Sequence, residues 1–391
     1  MKIIIISHTP YMQTDNGIIS KIVIDKLYNN FDISCIGFNH NIDIFSNKDG
    51  EYYYEDKCKI YPINENISNE SVLEIFTIIN AIKPDIVISI GDTFESEYIY
   101  AIKNLSSYSF KHINILLIDS FRNDFHDKNI KNINLSDKII VTNLWAENYL
   151  NSKDINSEFL SVDTKDIFYK EVENKNAKIL LKCLNDSYNN IIPILELLNE
   201  YFKGNVTCVL NEDRADYSVS SLKEKYKNVK FYNKYISIYD GLLDNDINDL
   251  YNNHDIFINL ASKDSSAISA REAMKAGCLT VLIDNPSNAI DKSVDNIKYN
   301  FNGAICDSSQ FITKNGEILH FPIIKDGYPN ESESLHGILK RFTNKTFLDD
   351  YNKYKKDKSI KHIEKEQNLL SENIMRIIQE TDNKTLNVFS P

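Results

Sequence analysis

Short apolar runs alternate with helical segments along most of the chain, and that alternation constrains the fold more than any other feature. Lys2–Ser7 opens as a continuous apolar run, as a strand buried on both faces requires, and a helical pattern through Ile18, Ile22, Val23 and Leu27 follows Gly17. Asp32–Gly37, Asp85–Ile90, Asn114–Ile118 and Lys138–Thr142 read as further strands, with helical segments such as Ser71–Ile82 between them. The rhythm then repeats. Lys178–Leu184, Val206–Leu210, Val229–Tyr232, Ile256–Leu260 and Leu279–Ile283 read as strands, and Ile191–Tyr201, Ser220–Lys227, Ile247–Asn252 and Ala270–Ala276 as helices. Parallel neighbours need crossover connections, so this order predicts parallel sheets covered by helices.

The 391 residues exceed what one core accommodates, and the repeated rhythm predicts an α/β chain of two Rossmann-like doubly wound domains. Glu171–Asn176 is charged and lacks apolar periodicity, which sets a boundary near residue 170. The expected domains are therefore 1–170 and 171–365. Past Leu335 the chain is helical and charged, and its last helix, over about 366–391, either closes the second domain or packs back on the first. Phe301–Gly327 reads as an insertion without a clear pattern.

A net charge of −12 disfavours a general nucleic-acid or anionic-membrane surface, though a local basic groove remains compatible with it. The six cysteines are scattered without a CxxC pair, so no metal site is expected and free thiols in a reducing compartment are. The apolar run Ile3–Ile6 is far shorter than a signal-peptide core, and no stretch approaches the ~20 apolar residues of a membrane span. These features predict a cytoplasmic protein.

The most informative segment runs from Ile256 to Gly277: a buried strand, a loop of small residues through Ser262, Ser265, Ser266 and Ala267, then a helix that Gly277 can terminate. Backbone N–H groups at such a helix start attract phosphate. Asp264 before the loop's end and Glu272 inside the helix bracket that anion site with two carboxylates, suited to sugar and ribose hydroxyls.

This segment resembles the E-G-F-G-x-x-x-x-E-A-M-x-x-G signature of the large retaining GT-B glycosyltransferase family that includes sucrose synthases, bacterial glycogen synthases and many lipopolysaccharide glycosyltransferases. Asp264 falls on the first acidic position and Glu272 on the second, with Ala273, Met274 and Gly277 in place. The resemblance implies two domains facing across a cleft, Asp264 on donor-sugar hydroxyls, Glu272 on the nucleotide ribose, and the backbone of Ser265, Ser266, Ala267 and Ile268 towards the diphosphate. Leu160–Phe168 is similar to the family's N-G-V-D-x-x-x-F, with Val162, Asp163 and Phe168 in place; there Asp163 is expected as a structural turn residue and Phe168 as a core anchor. Ser136–Asn143 resembles the preceding strand, and Asn228–Tyr235, with Tyr235 near the base, and Asp246–Asp255 resemble segments before the signature. Asn16 and Gly17 stand where the family has its N-terminal glycine loop, close to donor phosphate or acceptor.

Two departures bear on chemistry. The family's G-R-x-x-x-x-K pattern neutralises the leaving diphosphate, but Leu184 and Asn189 occupy its Arg and Lys positions here. Lys182, Arg214 and Arg271 are the candidate replacements, and a divalent ion is compatible without being required. Where the family often has a His near the donor sugar, Asp119 is the nearest candidate, with His126 farther along. The resemblance thus implies transfer of a hexose from a nucleotide sugar, UDP-glucose or similar, with no tightly bound cofactor. The acceptor, whether glycan, lipid, protein or modified DNA base, is left open. So are a viral DNA-base glycosyltransferase and an inactive sugar-nucleotide-binding protein. An oxidoreductase is disfavoured because no G-x-G-x-x-G follows the first strand.

Overall fold

A computed structural model describes residues 1–12, 14–38, 51–63, 69–106, 108–119, 130–164, 167–170, 177–184, 190–203, 205–211, 217–232, 244–261, 266–283, 303–306, 308–312, 318–322, 334–347, 349, 351 and 369–383. The chain divides into two compact units, one from Met1–Ile118, Asp124–Asp163 and Gln367–Pro391, the other from Asp119–Asn123 and Thr164–Glu366.

In the first unit, β1 (Lys2–His8), β2 (Asp32–Phe38), β3 (Tyr52–Tyr54), β4 (Cys58–Ile63), β5 (Ile86–Gly91), β6 (Lys111–Leu116), β7 (Lys138–Val141) and β8 (Glu158–Phe159) form one sheet in the order β3-β4-β2-β1-β5-β6-β7-β8. Every pairing is parallel except β3 with β4. Helices α1 (Asp15–Leu27), α2 (Asn69–Ile82), α3 (Thr93–Leu105) and α4 (Leu144–Asn151) provide crossovers. The chain starts in the middle of the sheet and winds outwards both ways, which leaves a switch point between β1 and β5.

The second unit repeats this plan with β9 (Ile179–Leu184), β10 (Val206–Asn211), β11 (Val229–Phe231), β12 (Ile256–Asn259), β13 (Leu279–Ile283) and β14 (Gly303–Cys306) in the order β11-β10-β9-β12-β13-β14, all parallel. Ile179 and Leu181 pack into one core with helices α5 (Ile191–Tyr201) and α9 (Leu335–Phe342), whereas Leu180, on the other face, joins a core with α7 (Asp244–Asn252) and α8 (Ile268–Lys275). Period-two alternation with both faces apolar is what makes the central strands continuous hydrophobic runs. A helix α6 (Val219–Lys225) connects β10 and β11, and β15 (Ser308–Ile312) pairs antiparallel with β16 (Ile318–Pro322). The segment read as patternless therefore holds β14 and this hairpin; β14 is only four residues long and the hairpin strands mix polar with apolar residues, so no periodicity marks them.

The last helix, α10 (Leu370–Asn383), belongs to the first unit. Leu370 N–H donates to the Ser161 carbonyl at 2.9 Å, Ser371 N–H donates to Asp163 Oδ2 at 2.9 Å, and the Ser371 hydroxyl donates to Asp163 Oδ1. Asp163 thus caps the start of a distant helix by tertiary contact, a structural role but not that of the turn residue expected from the sequence.

Strand β6 runs Lys111–Leu116, not Asn114–Ile118. Its polar start is held inside the fold by its neighbours: Lys111 N–H donates to the Asp85 carbonyl and His112 N–H to Asp137 Oδ2, both at 2.9 Å. The fully buried His112 ring lies 2.7 Å from Ser89 Oγ through Nε2 and 3.3 Å from Ser136 Oγ through Nδ1. Ser89 donates onward to Asn114 Oδ1, and Asn114 Nδ2 donates to the Tyr100 hydroxyl. Since Ser89 has one hydrogen, the neutral Nε2–H tautomer completes the network.

Burial pushes His112 down to about 3, with Lys103 adding to the depression and Asp137 opposing it; Lys111 also reaches Asp137. A depressed histidine contributes stability that is complete above its unfolded value near 6.5 and is lost as pH falls from there towards about 3. We expect this group to account for about 3 kcal/mol of stability lost between pH 7 and pH 4. Denaturant titrations of wild type and His112→Gln at both pH values check it: the variant is less stable at pH 7 but shows the shallower acid loss. Equal acid losses would contradict it.

Candidate functional site

The order of the second sheet puts β9 beside β12 where the winding reverses, and ligands of open α/β sheets bind outside the carboxyl ends at such a point. Lys182 lies near the end of β9, and the loop after β12 leads into α8, which carries Ser269 and Glu272. These groups meet. Lys182 Nζ is 3.5 Å from Glu272 Oε2, donates to the Tyr251 hydroxyl at 3.2 Å and to Ser269 Oγ at 3.4 Å, and stands 5.4 Å from the centre of the Tyr251 ring. The Tyr251 hydroxyl donates to Glu272 Oε2 at 2.8 Å. Burial first, then the Glu272 charge, hold the Tyr251 phenol well above its usual range, so it acts as a neutral donor.

The start of α8 is buried and has an unusual backbone conformation. Its N-cap Ala267 has φ 51°, ψ 28° and makes no side-chain hydrogen bond to the helix, and Ser266, Ala267 and Ile268 are all buried. A left-handed conformation is unusual for a residue with a Cβ and stores strain of about 1–3 kcal/mol. The α5 start matches it: Asn190 has φ 55°, and its side-chain amide donates to the Leu260 carbonyl at 2.9 Å, tying the strand end after β12 to the helix after β9. At the far end of α8, Gly277 takes φ 83°, its N–H donates to Met274 and that of Cys278 to Ala273. That Schellman pairing is the termination Gly277 predicted.

Lys182 and Glu272, singled out separately in the sequence, are therefore in contact, with Ser266, Ala267 and Ile268 on the same strand-loop-helix. Asp264, Ser265, Tyr235, His126 and Arg214 lie outside the described residues. Tyr251 and Ser269 were missed; the signal was a tyrosine on the buried face of a helix otherwise rich in Asn and Asp.

In the first unit, Asn16 and Gly17 are not in a loop. Thr14 caps α1, its hydroxyl accepting from Gly17 N–H at 3.2 Å and lying 2.8 Å from His8 Nδ1, so the helix already begins at Asp15. The Asn16 carbonyl accepts from Ser7 Oγ at 3.1 Å. Gly17 is required sterically: a Cβ there would lie 2.4 Å from the Met12 carbonyl oxygen and 2.9 Å from that of Thr9. Asp119, which groups with the second unit, is half-buried and follows β6 after Leu117 and Ile118, because that strand ends at Leu116. Phe168 is not a core anchor. It is 50% exposed, whereas its neighbour Ile167 is buried; Asn248 and Asn252 bind the Phe168 backbone, and Lys170 covers its ring.

Among the described residues no cluster of three or more His, Cys, Asp or Glu is arranged to hold a metal ion, and no helix is long and apolar enough to cross a membrane. No protein-family model matches the sequence, and no curated sequence is detectably similar to it. Solved structures are similar along the whole chain. Sucrose-phosphate synthase from Thermosynechococcus elongatus superimposes with a TM-score of 0.69 at 12% identity, covering 100% of both chains. HepE of Anabaena, solved with UDP and glucose, gives 0.62 at 11% identity over 97% of this chain and 99% of its own. A glycosyltransferase from Rickettsia africae gives 0.61 at 13% identity over 98% of each chain. Two doubly wound units in this order, matched end to end by these structures, establish that the chain has the GT-B fold of glycosyltransferases.

Proposed function

We propose that the protein is a retaining glycosyltransferase that moves a hexose from a nucleotide sugar, UDP-glucose or a related UDP-sugar, to an acceptor hydroxyl. The observation that carries this reading is the Lys182–Glu272 pair at the switch point of a GT-B second unit, one cation and one carboxylate beside an N-terminal helix turn. Glu272 binds the ribose, the backbone from Ser265 to Ile268 faces the diphosphate, and Lys182 supplies the positive charge missing at Leu184 and Asn189. Asp264 takes donor-sugar hydroxyls, and the UDP and glucose held by HepE favour a UDP-sugar.

In the reaction, the bond from the sugar's anomeric carbon to the diphosphate breaks while the acceptor oxygen bonds to the same face. The acceptor proton passes to the departing phosphate oxygen, so no protein nucleophile is needed. Lys182 stabilises the charge that develops on the leaving group. The second unit serves the donor and the first the acceptor; Asn16 and Gly17 belong to the first, and Asp119, grouped with the second, is the candidate near the donor sugar. The empty Arg and Lys positions also favour a second reading, a sugar-nucleotide-binding protein without turnover. Incubation with UDP-, GDP-, ADP- and TDP-sugars decides between them. We expect slow hydrolysis of one donor with the anomeric configuration retained by NMR, abolished in Asp264→Ala and Glu272→Ala. Binding without hydrolysis would favour the second reading.

A further inference from the structure

We infer that Tyr251 is a positioning residue for nucleotide recognition: its hydroxyl fixes one oxygen of Glu272 so that the other is presented to a ribose hydroxyl. The inference rests on the donor-site reading above. Tyr251 lies in the last turn of α7, fully buried, with its ring edge-on to Phe257 at 5.6 Å. Phenylalanine would fill that space equally well, so the hydroxyl is the part that packing does not explain.

The hydrogen-bond directions are fixed by the donor inventory. Lys182 can only donate, so at 3.2 Å it uses the phenol oxygen as acceptor, and the single phenol hydrogen goes to Glu272. Both side-chain partners of Glu272 fall on Oε2, with Tyr251 at 2.8 Å and Lys182 at 3.5 Å. Oε1 is the carboxylate oxygen that no described side chain engages. The terminal torsion of a glutamate is broad, so an unheld carboxylate would swivel. Lys182, moreover, is drawn off Glu272 when a phosphate competes for it. Tyr251 is the contact that stays, and a carboxylate oxygen left open can accept from a ribose hydroxyl, as an acidic side chain does in dinucleotide-binding doubly wound folds.

Calorimetric titration with UDP, ADP and GDP, each beside its 2′-deoxy counterpart, tests this in wild type, Tyr251→Phe, Glu272→Gln and the double variant. Wild type should prefer the ribonucleotide of its cognate base by about tenfold or more. Tyr251→Phe should lose most of that preference while binding the deoxy form as wild type does, and should add nothing to Glu272→Gln. A loss shared equally by both forms, or one fully additive with Glu272→Gln, would mark a merely structural role and overturn the inference. Lys182→Met provides a check independent of the Tyr251→Phe fold. It should weaken both forms and keep their ratio, and loss of the ratio would assign the positioning to Lys182 instead. If wild type binds no nucleoside diphosphate, the inference falls together with the reading it rests on, an outcome distinct from the variant failing alone.

Discussion

Replacing Lys182 with alanine should lower donor turnover about a hundred- to a thousandfold and leave the fold intact. The charge that builds on a departing diphosphate must be met by preorganised donors, and the two positions where the family that the signature resembles carries Arg and Lys hold Leu184 and Asn189 here. Lys182 lies two residues before Leu184 in the same strand, and its ammonium is kept at the carboxyl end of the sheet by Glu272, Ser269 and the Tyr251 ring. It is partly solvated, at 24% side-chain exposure, so it can change partners without a large desolvation penalty. Glu272 retains the Tyr251 donor when the lysine is gone, which limits the structural damage. Steady-state hydrolysis with a matched thermal melt checks this. An unchanged rate would move the role to Arg271, Arg214 or a metal ion.

Gly17→Ala should destabilise the protein by about 1–3 kcal/mol. The reason is distance, since Gly17 does not have a positive φ. The Thr9 and Met12 carbonyls crowd the first turn of α1 because the chain reverses directly after β1, with Met12 N–H bonded to the Thr9 carbonyl at 3.0 Å. An added methyl displaces backbone, which cannot rotate away as a side chain would. The same shift disturbs Thr14, whose hydroxyl serves both the helix and His8. A denaturant melt matching wild type would show that this turn yields more readily than its contacts indicate.

The two sheets are legible because their inner strands are buried on both faces: the strand Leu279–Ile283 agrees with its sequence reading to the residue and Ile256–Asn259 to within one. Strands whose pairing depends on tertiary polar contacts are not. The start of β6 is set by Asp85 and Asp137, β4 lies towards a sheet edge in a mixed-polarity run, and β14 is an edge strand of four residues, too short to carry a period. At the site, Glu272 and Lys182 were visible as residue types, but their contact depends on β9 and β12 being neighbours, which is topology and not spacing. Tyr251 was hidden because one phenol on an apolar face reads as core. Phe168 departs from expectation for the opposite reason: it holds the motif position but is half exposed, while the adjacent Ile167 does the burying.

Titration of the wild-type chain with UDP, followed by calorimetry beside Lys182→Ala and Glu272→Ala, tests the central claim that the switch point of the second unit is a nucleotide-sugar donor site. The account predicts saturable heat with wild type and clear weakening in both variants, each retaining the wild-type melting profile. Absence of binding to UDP and to every other nucleoside diphosphate, or binding that neither substitution weakens, would contradict it.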